Sequence, residues 1–245
     1  MIILGKLSQA TLQSLGAMLL FSTAGTAQIA GLCDTGQTFR TVAGCTGVLV
    51  PPNPTGGGPN RDGNWALAYP IPHILSGSQD PCSLKFIKSW VDTPNAAWLP
   101  NSASTASEWI TPYDGEDNRA TGYYVYATVF PVPDTFHGGG APTGVTIQGQ
   151  LASDNATIAI YMESPAGSGY CPLVSGQSFP VNPAGRGNSD FQQWWPFSFT
   201  NSQTLAVASP AVLYFVVQNP YDVNFPNDLS PTGLRVEFFS TSTFQ

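Results

Sequence analysis

Two segments near the C-terminus alternate with a period of two. In Leu213-Tyr-Phe-Val-Val-Gln-Asn-Pro220, Leu213, Phe215 and Val217 interleave with Tyr214, Val216 and Gln218. In Pro231-Thr-Gly-Leu-Arg-Val-Glu-Phe238, Leu234, Val236 and Phe238 interleave with Arg235 and Glu237. That period predicts strands with one buried face. Asn219-Pro220 and Pro231-Thr-Gly233 mark the turns that bound them.

The same reading extends upstream. Tyr123-Tyr-Val-Tyr-Ala-Thr-Val-Phe130 is β-branched or aromatic except at Ala127, and Pro131 and Pro133 end it. Val145–Gly149 and Thr157–Met162 follow, with a turn at Ser153-Asp-Asn155. Trp65–Tyr69 and Leu84–Trp90 read as strands before them, and Trp98-Leu99 and Trp109-Ile110 as isolated apolar anchors. Trp194-Trp-Pro-Phe-Ser-Phe199 is a strand interrupted by Pro196, which places it at a sheet edge. About eight to ten short strands without an amphipathic helix predict an all-β fold, a jelly-roll β-sandwich of two antiparallel sheets. Residues 34–63, with Pro51-Pro-Asn-Pro-Thr-Gly-Gly-Gly-Pro-Asn60, read as largely irregular.

The N-terminus changes the picture. Lys6, the apolar run Leu15-Gly-Ala-Met-Leu-Leu-Phe21 and the small residues Ser22 to Ala27 read as a signal peptide cut after Ala27. The apolar run is too short and broken for a membrane span. Residues 28–245 are then one exported domain, secreted or periplasmic. Cys33, Cys45, Cys82 and Cys171 fit two disulfides in that compartment. Of the three connectivities, 33–45 and 82–171 are favoured, one pinning the N-terminal region and one tying distant strands. A formal charge of −7, with only Lys85 and Lys88 as lysines after the signal, leaves no basic patch for nucleic acid.

The order of motifs adds a resemblance. Cys33-Asp-Thr-Gly36, Asp62-Gly-Asn-Trp65, Ala97-Trp-Leu-Pro100, Glu108-Trp-Ile110, Gly122–Phe130, Ser153-Asp-Asn155, Leu213–Asn219 and Pro231–Glu237 form the series. It resembles secreted bacterial β-sandwich domains of the galactose-binding-like, jelly-roll kind, found in exported proteins with a PEP-CTERM sorting tag. The resemblance implies a carbohydrate- or surface-binding module. The chain departs from it by ending Ser240-Thr-Ser-Thr-Phe-Gln245, without the tag, and by the longer loop Glu163-Ser-Pro-Ala-Gly-Ser-Gly169.

Candidate chemistry is sparse. Asp34-Thr35-Gly36 looks like one half of an aspartic-protease signature, but the mechanism needs two copies; a turn with Asp34 capping its own backbone is the expectation. His73 and His137 lie in loops and no nucleophile elbow accompanies them. Glu108, Asp154, Glu163 and Asp190 are the carboxyls a glycosidase could draw on. Asp114, Glu116, Asp117 and Asn118 could supply oxygens to a structural calcium ion, the one cofactor considered; a solvated loop is the simpler reading. Aromatic faces beside amides suit sugar rings, which selects Trp194 and Trp195 with Asp190, Gln192 and Gln193, together with Tyr161 and Tyr170; Tyr123 and Tyr221 are further candidates. The expected function is non-catalytic binding of a glycan or a cell-envelope component. A surface or matrix protein self-associating through sheet edges is the alternative, and a glycosidase-like enzyme ranks last.

Overall fold

The computed structural model describes residues 29, 31–37, 45, 49, 61–71, 81–92, 96–104, 106–112, 118–134, 136, 140–154, 156–174, 191–219 and 229–245. These residues form an all-β structure. Its strands are β1 (Arg61–Ile71), β2 (Ile87–Val91), β3 (Ile110–Thr111), β4 (Asn118–Ala120), β5 (Gly122–Pro131) and β6 (Val145–Asp154). They continue with β7 (Ala156–Glu163), β8 (Trp195–Asn201), β9 (Pro210–Asn219), β10 (Leu229–Pro231), β11 (Gly233–Phe238) and β12 (Thr243–Phe244). The helical elements among the described residues are the short 3-10 turns Pro81–Ser83 and Asn101–Ala103.

Hydrogen bonding joins ten strands into one antiparallel sheet, and β10 pairs with β4 separately. From β6 the path runs through β11, β3, β2, β1, β5 and β9 to β7, while β8 pairs β6. The backbone of Gln148 turns toward the β11–β12 side, its carbonyl accepting from Phe239 N–H and its N–H donating to Ser242 Oγ. β8 therefore takes the other side of β6 and forms one end of the sheet. Pro196 stands there, as its missing N–H predicts.

The sheet curls so that its two halves share one core. β6 and β7 are consecutive and separated by a single residue, yet β6 pairs with β8 and β11 while β7 pairs with β9. The chain thus passes from β6 to β7 as an arch between halves, not a hairpin, and Ser153 Oγ accepts the Thr157 N–H at 2.9 Å. Across the interior, Phe197 of β8 meets Phe215 of β9 edge-on at 5.8 Å, and Trp65 of β1 stacks with Phe238 of β11 at 6.2 Å. Gly149 makes room for this packing: a Cβ there would lie 2.7 Å from Phe197 Cζ.

Alternation decides which side chains reach that core. Leu213, Phe215 and Val217 point inward on β9, and Leu234 and Val236 on β11. Contrary to the one-buried-face expectation, β9 is buried on both sides. Val212, Tyr214 and Val216 join Val125, Ala127 and Ala159 in a second apolar cluster. Leu84 and Phe86 cover this outer face, tied down by the Cys82–Cys171 disulfide. The second disulfide is Cys33–Cys45, so both expected pairings are formed.

The segment read as irregular begins with an ordered splice. Ile29 (3 % exposed) and Leu32 belong to the main core. Residues 33–37 lie between β11 and the chain leading into β3. Thr35 N–H donates to the Val236 carbonyl, and its carbonyl accepts from Glu108 N–H. The Thr35 hydroxyl donates to the Glu108 carbonyl at 2.7 Å and accepts the Val236 N–H at 3.0 Å. Asp34 Oδ1 accepts the Phe238 N–H at 2.7 Å. Asp34 does not cap its own backbone; it and Thr35 give β11 side-chain acceptors where a neighbouring strand would give carbonyls. Gly36 has φ +78°, and a Cβ there would lie 2.7 Å from Glu108 Cβ, so this close, left-handed position needs glycine.

Candidate functional site

Among the described residues, the outer face of β8, β6 and the end of β11 carries a block of polar side chains that are half-buried to exposed. Inward positions there hold Phe197, Phe199, Ile147, Leu151, Leu234 and Val236. Registry sets the outward ones in rows: Pro196 opposite Gln150 opposite Glu237, Ser198 opposite Gln148, and Thr200 opposite Thr146 opposite Thr243. Polar groups knit the rows together. Gln150 Nε2 donates to Glu237 Oε2 at 2.7 Å, Thr241 Oγ1 to Gln148 Oε1 at 2.6 Å, and Gln245 Nε2 to Thr146 Oγ1 at 2.6 Å. Thr146 and Thr200 share a hydroxyl bond at 3.0 Å. Amides and hydroxyls held by neighbours lose little rotamer freedom when they engage a ligand.

Aromatic rings flank this face. Trp194, just before β8, is half-buried over a third cluster built from Trp98, Trp109 and Ala152. Its ring lies 4.9 Å from the guanidinium of Arg235, which is fully buried. Arg235 is held in turn by Ser107 Oγ at 2.9 Å and by the carbonyls of Pro100, Asn101, Ser104 and Ser107. Burial pushes the guanidinium pKa down, and the Glu237 and Glu108 carboxylates oppose that shift. Gln192 and Gln193 are exposed beside Trp194. Phe239, 41 % exposed, follows β11 at the far end.

The structure divides the expected binding set. Trp194, Gln192 and Gln193 share one neighbourhood. Trp195 faces the other way and packs half-buried against the main core. Tyr161 lies on β7 opposite Tyr214, against the second cluster, and Tyr123 packs on the same cluster. Tyr170 is 62 % exposed in the loop after β7, beside Cys171. Asp190 and Tyr221 lie outside the described residues, as do Asp114, Glu116 and Asp117 of the candidate calcium loop and both histidines. Asn118 opens β4, with its backbone opposite Pro231. Among the described residues, no group of three or more His, Cys, Asp or Glu is placed to hold a metal ion.

The carboxyls considered for a glycosidase are built into separate packing contacts. Glu163 is buried, accepting the Tyr214 hydroxyl at 2.6 Å and the Gly169 N–H at 2.8 Å, and so organises the long loop. Burial, with this carboxylate beside it, keeps the Tyr214 phenol protonated far above its usual range. Asp154 accepts Trp98 Nε1 at 2.6 Å. Glu108 is buried near Gly36, and burial pushes its carboxyl up to about 7 despite Arg235 nearby. Asp34 is also pushed up to about 7, chiefly by burial, then by Glu237. The oxygens of Asp34 and Glu237 are committed to Phe238 N–H, Ser107 and Gln150, so this neighbouring pair is part of the splice, not an open acid–base pair.

Sequence reasoning missed Thr146, Gln148, Gln150 and Glu237. Each is an unremarkable polar residue in its own strand, and only register aligns them. The alternation of β6, with Thr146, Gln148 and Gln150 between Val145, Ile147 and Gly149, was the available signal. Comparison with known protein families, curated proteins and solved structures finds no match to this chain. The two disulfides suit an oxidising compartment. Among the described residues, no helix is long and apolar enough to cross a membrane.

Proposed function

We propose that this chain is an exported, non-catalytic binding module of the galactose-binding-like, jelly-roll kind, and that it recognises a glycan, free or in the cell envelope, on the outer face of β8, β6 and β11. The supporting observation is the sheet surface itself: Gln148, Gln150, Thr146 and Glu237 in register, with Trp194 at one end. Sugar hydroxyls need both donors and acceptors, and this face presents both. A pyranose ring offers a flat C–H face, which the indole of Trp194 can cover while Arg235 fixes its orientation. The arrangement differs from the expected one in using Trp194 but not Trp195, and in leaving Tyr161 and Tyr170 to a separate surface.

A polysaccharide and glycan-array screen of the exported protein tests this, run with calcium and with chelator because the candidate calcium loop adjoins β4. Saturable binding is expected, and Trp194→Ala should weaken it at least about tenfold, with some loss of stability because the ring also packs on Trp98, Trp109 and Arg235; a thermal melt checks that the variant is folded at the assay temperature. Trp195→Ala should leave binding near that of the parent and lower stability by about 2–4 kcal/mol through its loss of packing on the core. Failure of every glycan to bind, or equal binding by Trp194→Ala, would sink the assignment.

A further inference from the structure

The two ends of the sheet differ. At the β7 end, residues 172–174 lie alongside as a further short segment: Met162 N–H donates to the Pro172 carbonyl, Val174 N–H to the Ile160 carbonyl, and Tyr161 pairs with Leu173. At the β8 end no described residue pairs with the outward backbone. Because β6 presents Val145, Ile147, Gly149 and Leu151 to β8, their partners Asn201, Phe199, Phe197 and Trp195 face β6. The alternate residues Pro196, Ser198 and Thr200 therefore face outward. The edge offers the N–H groups of Ser198 and Thr200 and three carbonyls. No charged residue lies between 191 and 221 to discourage pairing.

We infer that this edge pairs with the β8 edge of a second copy, forming an antiparallel two-fold dimer centred on Ser198. The register is self-complementary. Ser198 faces Ser198 of the other copy, and the two exchange N–H···O bonds. Thr200 faces Pro196, so each Thr200 N–H reaches a Pro196 carbonyl and the donor missing from Pro196 leaves only a carbonyl of Thr200 without a partner. The exposed Thr200 and Pro196 side chains and the half-buried Ser198 are small enough to lie side by side. With the other end of the sheet occupied by residues 172–174, the assembly closes at two copies instead of extending as a filament. This pairing is independent of the glycan reading.

Analytical ultracentrifugation of the intact exported chain over a broad concentration range tests it. The expected result is a reversible monomer–dimer equilibrium without larger species. Ser198→Lys places like charges directly opposite each other and should weaken the dimer roughly fivefold. An equimolar mixture with Ser198→Glu should restore association as a heterodimer. Ser198→Pro removes both central donors and should weaken it roughly thirtyfold, taking about 1 kcal/mol per bond. Matching thermal melts of the variants at low concentration would show that their monomers fold. A parent protein that remains monomeric throughout would overturn the inference, whether its Ser198 and Thr200 amides exchange freely or are protected by the chain itself. So would a dimer indifferent to all three substitutions, or growth beyond two copies.

Discussion

At the residue scale, the splice at residues 34–36 explains why a motif with catalytic associations is structural here. Thr35→Val keeps the shape but deprives the Val236 N–H of its hydroxyl acceptor. Leaving that buried donor unpaired should cost about 1–3 kcal/mol, read as a lower urea midpoint with an unchanged slope. Arg235→Ala should cost about 3 kcal/mol or more, since it strips several loop carbonyls of one charged donor and removes the support under Trp194. Titration gives a further test. Asp34, Asp62 and Glu108 are all pushed up to about 7, burial being the leading cause in each. Asp62 stays near 7 although the N–H groups of Gly36, Asn64 and Trp65 pull it down. In the unfolded chain such groups titrate near 4. Between about pH 4 and 7 the folded state therefore holds more protons than the unfolded one, so stability falls as pH rises through that window and levels off above it. Asp34→Asn keeps an acceptor for Phe238 N–H but removes one titration. Its stability should fall less steeply over the same range in denaturation series at stepped pH; an identical slope would contradict the assignment of Asp34.

At the element scale, the two disulfides act on loops of very different length. Cys82–Cys171 spans 89 residues and Cys33–Cys45 spans 12. On chain entropy alone, losing the first should cost about 4.6 kcal/mol and losing the second about 3 kcal/mol. Paired Cys→Ala variants would measure this, with the larger loss expected for 82 and 171. The longer bridge also secures the cover over β5, β9 and β7, so its loss should expose apolar surface to a hydrophobic dye. Strand identity was legible in the sequence because β5, β6, β7, β9 and β11 carry strong alternation or dense β-branched and aromatic runs. The short strands β3, β4, β10 and β12 were not, since two or three residues contain no period. The covered outer face of β9 was visible only as Tyr214 and Val216 standing where polar residues were expected. Nothing local revealed that residues 81–86 would lie over them.

At the scale of the whole molecule, one curled sheet produces surfaces with different tasks. Its inside is the main core. Its β5–β9–β7 exterior is sealed by a disulfide-held segment. Its β8–β6–β11 exterior is polar and partly open, with Ala152 and Arg235 covered by the Trp98–Trp109 cluster and Trp194. If β8 edges pair across a two-fold axis, that face continues from one copy into the next. Opposed residues in a sheet point to the same side, so both Trp194 rings would flank one surface, roughly 27 Å apart at about 3.4 Å per residue along the strand. A polymeric glycan could then contact two sites at once. Binding to a long polysaccharide should exceed binding to its short oligomers by more than the count of sites, and Ser198→Lys, which weakens the dimer about fivefold, should lower that excess in step. Surface plasmon resonance with matched long and short ligands would measure this.

The sequence by itself determined the all-β class, most of the long strands and the edge position of β8. These follow from local causes: side-chain periodicity and the missing donor of proline. Four cysteines allow three connectivities, and the fold forms the favoured one, 33–45 with 82–171. Tertiary structure alone decided that β6 and β7 arch between halves, that Asp34 and Thr35 splice the N-terminal segment onto β11, and that Trp194 stands over buried Arg235. It also assembled Thr146, Gln148, Gln150 and Glu237 into one face. Those outcomes depend on register between strands far apart in the chain, and a polar residue at an outward position carries no local mark of what will lie beside it.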